Sequence, residues 1–304
     1  MTSTLDRPVK KPTFQGVSLR RKLANNTATV LVSLSVLVAV VPLLWVLYAV
    51  VSKGYKIVLD SIWWTNSQQG MTAFMAGGGV YHALVGTLLQ GLVCAVISIP
   101  IGVFTGIYLV EYGGGTKLGK LTTFMVDILT GVPSIVAALF IYALWVATLG
   151  FGRSGFAVSL ALVLLMIPVI VRSTEEMLRI VPMDLREASY ALGVPKWKTV
   201  MRIVIPTALS GIVTGIMLAL ARVMGETAPL LILVGYSQAM NFDMFNGFMG
   251  SLPGMMFDQT SAGAGANPVP TDRLWGAALT LVLLIAVLNI GARFVSKFFS
   301  PKKV

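Results

Sequence analysis

Long apolar runs are the feature that most restricts what this chain can fold into. The first run, from Ala28 to Val51, continues for 24 residues without a charged side chain. About 20 apolar residues in a helix cross the hydrocarbon core of a bilayer, where the backbone must satisfy its own hydrogen bonds. The chain is 56% hydrophobic and 12% charged, about half the charged fraction usual in soluble domains. The sequence therefore predicts an all-α membrane protein.

Six apolar runs divide the chain into predicted spans and connections. The spans cover approximately residues 28–51, 83–110, 121–149, 156–171, 203–234 and 275–294. We therefore predict a six-helix transmembrane domain over residues 28–296, preceded by a basic tail at 1–27 and followed by a tail at 297–304. An even number of spans places both tails on the same side of the membrane.

The basic residues indicate which side that is. Of the 23 Lys and Arg residues, 18 lie in the two tails and in the second and fourth connections, and four lie in the other connections. Connections rich in Lys and Arg remain in the cytoplasm, so we predict cytoplasmic termini. The net charge of +11 is gathered at the ends of apolar runs, which indicates orientation in a lipid bilayer and argues against nucleic-acid binding.

The sequence contains few residues for metal or nucleophilic chemistry. Its one cysteine, Cys94, lies in an apolar run, and its one histidine, His82, lies at the start of the second span, where we expect it at the membrane interface. A disulfide, a zinc site or a catalytic triad needs more such residues. The segment Gly114–Lys120 resembles a phosphate-binding loop, but Leu121 stands where Ser or Thr must reach magnesium. We expect no catalytic residue, metal site or cofactor in this chain.

A polar island at residues 182–206 separates the fourth and fifth predicted spans. Asp184, followed three residues later by Glu187, predicts a helix start with Asp184 as N-cap. One face of this short helix is expected to carry Leu185, Ala188, Ser189 and Leu192. Gly193 stands where the helix should end, and Pro195 where another should begin. The pattern predicts a short amphipathic helix that is exposed to the cytoplasm.

The same island resembles a motif of the bacterial ABC importer permeases. Glu187-Ala188-Ser189-x3-Gly193-x9-Ile203-x-Ile205-Pro206 is similar to the E-A-A-x3-G-x9-I-x-L-P signature of that family, with Ser189 and Ile205 as departures of similar size. The resemblance implies a type I ABC importer permease fold, with an EAA coupling loop between helices 4 and 5 whose short helix docks on an ATPase. The alternative is a loop that merely packs at the cytoplasmic side, with Glu187 as a helix-start residue.

Two further segments resemble the phosphate branch of this family. They are Gly131-Val132-Pro133-Ser134-Ile135-Val136 and Ala219-x2-Arg222-x2-Gly225-Glu226-Thr227-Ala228-Pro229. The PstC type of phosphate permease typically has Met after Gly-Glu-Thr, so Ala228-Pro229 favours its sibling type. The resemblance implies a subunit that moves inorganic phosphate across the bacterial plasma (inner) membrane.

The resemblance also implies a set of partners. These are a homologous PstC-like permease that completes a heterodimer, a dimer of ATPase subunits, and an extracytoplasmic phosphate-binding protein. ATP and magnesium would then bind the ATPase, and this chain would be a non-catalytic permease subunit.

Arg222 and Glu226 are charged residues inside the fifth predicted span. Their spacing of four would place them on one face of a continuous helix. Arg222 follows Pro206 by sixteen residues, about 24 Å of helix, so exposure to lipid would cost at least ~2.5–3.5 kcal/mol. Because a guanidinium group binds phosphate oxygens through two parallel hydrogen bonds, we predict that Arg222 lines the translocation pathway and that Glu226 moderates its charge. The alternative is an ion pair of Arg222 with Glu226, or one shared with Asp127, that fixes helix packing.

Asp127, Thr130 and Ser134 form a second group of pathway candidates. In a continuous third span Thr130 and Ser134 would share the helical face of Asp127. The segment Gly131–Ser134 contains Pro133, and interrupted membrane helices often bind ions at such breaks. Alternatively, Asp127 only reaches the cytoplasmic interface.

Other functions remain compatible with the sequence. A permease for another oxyanion, such as sulfate or molybdate, would have the same architecture. A proton-coupled secondary anion transporter could use Glu226 as a proton relay and would not need the Glu187–Gly193 helix. A membrane assembly protein without transport activity would leave uptake unchanged when it is deleted.

Overall fold

The computed structural model describes the backbone of residues 18–299 and the side chains of residues 18–294. Its helices are α1 (Leu19–Val58), α2 (Ser61–Thr65), α3 (Tyr81–Ile107), α4 (Lys117–Thr130), α5 (Ser134–Ile141), α6 (Gly155–Ile180), α7 (Met183–Ala191), α8 (Lys196–Thr199), α9 (Ile205–Met224), α10 (Ala228–Leu233), α11 (Leu252–Ser261) and α12 (Pro268–Phe299). Helices α3, α5 and α8 continue as π-helical turns at Tyr108–Tyr112, Tyr142–Thr148 and Val200–Val204. Residues 18–299 contain no β-strand, and the prediction of an all-α protein is confirmed.

The chain forms two compact units that divide after Ala49. The first unit holds the N-terminal part of α1, which begins at Leu19 and therefore includes the last residues of the predicted N-terminal tail. The side chains of residues 18–48 are exposed, as expected of an apolar helix whose side chains contact lipid. The rest of the predicted tails, at residues 1–17 and 300–304, lies outside the described residues.

Helix α6 is central to the second unit. It packs along α3 and α9 and also contacts α4, α5 and α10. Met166 and Ile170, in the middle of α6, are completely buried. Glycines on α3 allow the closest approach: a Cβ on Gly102 would lie 2.7 Å from Ile170 Cβ, and one on Gly106 would lie 2.8 Å from Thr174 Cβ. Small residues of this kind allow membrane helices to pack closely.

The third predicted span is broken into two helices. Helix α4 ends at Thr130, α5 begins at Ser134, and the two are bent by 106°. Pro133 adopts an extended conformation just before α5 and has no N–H to donate to a continuing helix. The prediction that Asp127, Thr130 and Ser134 share one helical face is therefore wrong, because the helix that would align them ends between Thr130 and Ser134.

The fifth predicted span is interrupted as well. Helix α9 ends at Met224, and the Gly225 N–H bonds to the carbonyl oxygen of Arg222 at 3.1 Å. A new helix, α10, begins at Ala228. Arg222 therefore lies in the last turn of α9 and Glu226 lies beyond its end, so the predicted shared face is wrong. Because α10 packs against α5, the two interrupted segments lie next to each other.

The number of candidate membrane-spanning helices agrees with the six predicted spans when the bent pair α4–α5 is counted as one span. Among the described residues, five helices are long and apolar enough to cross a bilayer, and the bent pair α4–α5 raises the number to as many as six. The connection between the fifth and sixth predicted spans contains α11. The Ser251 hydroxyl caps the start of α11 by accepting the Gly254 N–H at 3.2 Å.

Candidate functional site

The polar island forms the predicted short helix, α7, and a second one, α8. Helix α7 begins at Met183 after Pro182, so Asp184 lies in the first turn and is not the N-cap. The proposed capping by Asp184 is wrong because Pro182 already supplies the extended residue before the helix, and Asp184 acts at most through the helix dipole. Gly193 follows the helix with φ of 74°, and its N–H bonds to the Tyr190 carbonyl at 2.9 Å. The helix ends at the glycine as predicted.

Helix α7 has an exposed face and a polar buried face. Leu185 is 41% exposed and Leu192 is 84% exposed, and the side chains of Glu187 and Ala188 are exposed too. Ser189 does not belong to this face: it is buried, and its hydroxyl lies 2.8 Å from that of Thr199. The prediction that Ser189 shares the exposed face is wrong, since this hydroxyl joins α7 to α8.

Arg186, which the sequence analysis did not select, anchors α7 to two spans. Its Nη2 lies 2.9 Å from Glu111 Oε1, at the end of the π-helical turn after α3. The same guanidinium donates to the carbonyl oxygens of Leu178, at 2.9 Å, and Val181, at 2.7 Å. Glu111 is 75 positions earlier in the chain, so no local spacing predicts this ion pair. The one sequence signal for Arg186 is its position directly before the EAA-like motif.

Asp127 takes part in an ionic cluster between α4 and α6. Its carboxylate binds Arg172, whose Nη1 lies 2.7 Å from Glu175 Oε2, and Glu175 Oε1 lies 3.6 Å from Arg179 Nη2. Asp127, Glu175 and Arg179 border a cleft of about 360 Å³ beside the α3–α4 turn. The alternative in which Asp127 shares an ion pair with Arg222 is wrong, because Arg172 occupies its carboxylate.

Arg222 and Glu226 do not bind each other. The Arg222 side chain is exposed and Glu226 is half-buried, and neither forms an ion pair with any described residue. The alternative of a packing pair between them is therefore wrong. An arginine in a span that finds no ion-pair partner among residues 18–294 must meet water, an anion or another subunit.

Thr130 and Ser134 flank the break in the third span. The Thr130 hydroxyl donates to the Val126 carbonyl oxygen at 2.8 Å and is thus used within α4. Ser134 is half-buried at the first position of α5. The structure therefore separates the predicted pathway residues into Asp127 within an ionic cluster and Thr130, Ser134, Arg222 and Glu226 near the two breaks.

A buried polar cluster at the other end of α3 was not foreseen either. His82 is 2% exposed, and its Nε2 lies 2.8 Å from the Tyr236 hydroxyl. That hydroxyl lies 3.2 Å from Gln68 Oε1, and burial raises the pKa of Tyr236 well above its ordinary value. Arg273 nearby donates to the carbonyl oxygens of Gly77, Thr72 and Met75. Tertiary contacts between segments that are distant in the chain create this cluster, so no local sequence motif predicts it.

Comparison with known proteins identifies a family and several relatives. The family described as "Binding-protein-dependent transport system inner membrane component" matches residues 98–304. A protein of Mycobacterium leprae named phosphate transport system permease protein PstA is 56% identical over 96% of this chain and 95% of its own length. PstA 1 of Mycobacterium tuberculosis is 54% identical over 96% and 94%, and PstA of Yersinia pestis is 38% identical over 93% and 92%.

Solved structures of similar fold come from importers. A chain of a bacterial alginate ABC transporter, crystallised with an alginate-bound periplasmic protein, matches with a TM-score of 0.64 at 11% identity over 94% of this chain and 99% of its own. A chain of the MetNI methionine ABC transporter in an inward-facing conformation matches with a TM-score of 0.54 at 21% identity over 73% and 94%. At these identities the similarity concerns the fold alone.

Proposed function

We propose that this chain, which belongs to the binding-protein-dependent transport system inner membrane components and within them to the PstA phosphate permeases, is the membrane-spanning subunit of an ABC importer for inorganic phosphate. The observation that carries the proposal is 54–56% identity to named PstA permeases along nearly the whole chain. As a permease subunit the chain is not itself an enzyme, and a separate subunit hydrolyses ATP.

The exposed face of α7 is the proposed docking surface for an ATPase subunit. Leu185 and Leu192 expose apolar side chains there, and Glu187 and Ala188 lie between them. Trp197, near the start of α8 in the same loop, exposes a further apolar side chain and is 62% exposed. A soluble partner that covers these side chains would remove them from water, which is favourable at roughly 25 cal/mol per Å² of apolar area. A dimer of ATPase subunits, which binds ATP and magnesium, supplies one such partner to each permease.

The pathway lies where the two interrupted spans meet. Arg222 ends α9, Thr130 ends α4, and Ser134 begins α5, against which α10 packs. The exposed guanidinium of Arg222 can bind phosphate oxygens through its fork of N–H donors, and Glu226, beyond the end of α9, limits how tightly the anion is held. A homologous PstC-like permease would close the other side of the pathway, and an extracytoplasmic phosphate-binding protein would deliver the anion.

The orientation follows from charge. We place both termini and the α7–α8 loop in the cytoplasm of a bacterium and the chain in its plasma (inner) membrane, because Lys and Arg accumulate on that side. The ATPase then meets α7 from the side where ATP is available.

The test is co-purification and transport. The chain is co-expressed with a PstC-like permease and its ATPase, purified as a complex and placed in liposomes with a phosphate-binding protein. We expect ATP hydrolysis that the loaded binding protein stimulates, together with phosphate uptake that sulfate and molybdate do not compete away. Transport driven by a proton gradient without ATP would contradict the proposal, as would preferential uptake of sulfate or molybdate.

A further inference from the structure

The coupling helix α7 is anchored by buried side chains that are both polar. Its two buried residues are Arg186 and Ser189. Ser189 bonds to Thr199 and so reaches only α8, and the backbone of α7 packs mainly against α8 and the turn that follows it. Arg186 is therefore the side chain that connects α7 to α3 and to α6.

The Arg186 guanidinium is held from three directions. Nε and Nη2 donate to the same oxygen of Glu111, at 3.3 and 2.9 Å, while Nη2 and Nη1 donate to the carbonyl oxygens of Leu178 and Val181. Leu178 lies in the last turn of α6, where backbone carbonyls lack helix partners. A rigid planar fork can bind such a set of oxygens, whereas a single ammonium group cannot.

Glu111 receives a second link from the same loop. Its backbone carbonyl accepts a hydrogen bond from Lys196 Nζ at the start of α8, and that ammonium group lies 5.0 Å from the centre of the Tyr112 ring. The Glu111 and Arg186 side chains are 5% and 8% exposed. Removal of either charge leaves the other buried without compensation, so the two act as a unit.

The backbone connections on both sides of α7 are short. Only Val181 and Pro182 separate α6 from α7, and four residues, 192–195, separate α7 from α8; among them Gly193 has φ of 74°. A displacement of α7 reaches α9 through α8 along the chain, whereas the direct side-chain contact from α7 to the end of α3 is Arg186–Glu111.

We propose that the Arg186–Glu111 ion pair locks α7 to the ends of α3 and α6, so that these elements move together when the ATPase closes and ATP hydrolysis is converted into transport. The inference rests on the proposed function. Arg186 and Glu111 are positioning residues: they contact neither ATP nor the transported anion, and they transmit displacement of α7 to α3.

The test compares Glu111→Gln, Arg186→Lys and the double variant in the complete complex in liposomes. Glu176→Gln and Arg202→Lys serve as matched controls, because both side chains are exposed at the same end of the molecule. The readout is the amount of phosphate transported per ATP hydrolysed in the presence of the loaded binding protein, alongside the yield and melting temperature of the assembled complex.

We expect both single variants to assemble and to retain stimulated ATP hydrolysis, while phosphate transported per ATP falls about tenfold or more. The double variant should be no worse than either single variant, because all three break the same link. The controls should transport normally.

Three outcomes would overturn the inference: an unchanged ratio of phosphate to ATP, an equal loss of hydrolysis and transport, or failure of both conservative variants to assemble. Failure of the unaltered complex to transport phosphate with ATP would instead overturn the proposed function, so the two ideas are tested separately.

Discussion

Arg222 is a cation in a span that finds no ion pair among the described residues. Its side chain is exposed at the end of α9, next to the interruption at Gly225. Arg172, by contrast, is bound by two carboxylates on α4 and α6. The contrast supports an external partner for Arg222, and an anion in a pathway is such a partner.

Replacement of Arg222 by Gln should therefore abolish most transport. A lost charge-assisted hydrogen bond is worth about 1.5–3 kcal/mol, or a reduction of roughly ten- to a hundredfold in uptake. Assembly and basal ATP hydrolysis should persist, since the Arg222 side chain forms no ion pair with any residue whose side chain the structure describes. Phosphate uptake into liposomes is the measurement, with Arg202→Gln as control, and normal uptake by the Arg222 variant would contradict the pathway role.

Tyr236 stabilises the buried polar cluster at the other end of α3. Tyr236→Phe leaves the Nε2 of His82 and the Oε1 of Gln68 without the hydroxyl, which should lower the free energy of unfolding by about 1–3 kcal/mol. Unfolding titrations in mixed micelles measure the difference, and Tyr55→Phe, at an exposed tyrosine, should be neutral. Equal stability of the two variants would show that the hydroxyl contributes nothing.

Tyr236 should also make the free energy of unfolding depend on pH in the alkaline range. Burial raises the pKa of Tyr236 above its ordinary value of 10.0, so the unfolded chain loses this proton before the folded chain does. The stabilisation is complete below pH 10 and declines above it, by about 1.4 kcal/mol per pH unit until the folded pKa is reached. Above pH 10 the free energy of unfolding of the unaltered protein should fall more steeply than that of Tyr236→Phe, and parallel curves would contradict this.

At the scale of elements, the α3–α6 contact organises the second unit. Gly102 on α3 faces Ile170 on α6 so closely that a methyl group would clash at 2.7 Å. The added methyl group and the Ile170 Cβ are each fixed to a helix backbone. The two helices must therefore move apart before Gly102 can be replaced by a larger residue. This contact also joins the two helices whose C-terminal ends Arg186 links.

Gly102→Ala should destabilise the protein by about 1–3 kcal/mol through overpacking. The matched control is Gly114→Ala, where nothing lies within 4 Å of the added methyl group. Unfolding titrations in detergent should rank Gly102→Ala well below the control. A Gly102 variant as stable as the Gly114 variant would show that α3 and α6 can move apart at no cost.

At the scale of the whole molecule, orientation and the arrangement of partners belong together. The ATPase can reach α7 only if the side rich in Lys and Arg faces the cytoplasm. The chain offers a simple probe, because its one cysteine, Cys94, is completely buried. Cysteines introduced at exposed positions can then be labelled selectively.

We expect Lys53→Cys to react with a membrane-impermeant maleimide in intact cells. Lys117→Cys, at the start of α4, should react only after the membrane is permeabilised, since it lies on the predicted cytoplasmic side. Both lysines are exposed, and the unaltered chain should remain unlabelled. Labelling of Lys117→Cys in intact cells would reverse the proposed orientation and remove the ATPase from α7.

The amino-acid sequence alone determined the features that depend on local pattern. Apolar runs of sufficient length predicted the spans, the EAA-like spacing predicted α7, and Gly193 predicted where α7 ends. Each of these follows from hydropathy, periodicity or the conformational freedom of glycine over a few neighbouring residues. Pro133 and Gly225 are also local signals, in this case for a helix break. The long apolar run around each of them favours one continuous helix, so the local pattern alone does not decide between the two.

Only the tertiary structure decided which charges meet and which remain without a partner. Asp127 binds Arg172 across 45 positions and Glu111 binds Arg186 across 75, and no local spacing relates such residues. Because α9 ends before Gly225, Glu226 does not lie on the helix of Arg222. The spacing of four residues therefore produces no ion pair between them. Ion pairs depend on the distance between side chains in space, and that distance is fixed by how α3, α4 and α6 pack and by where their helices end.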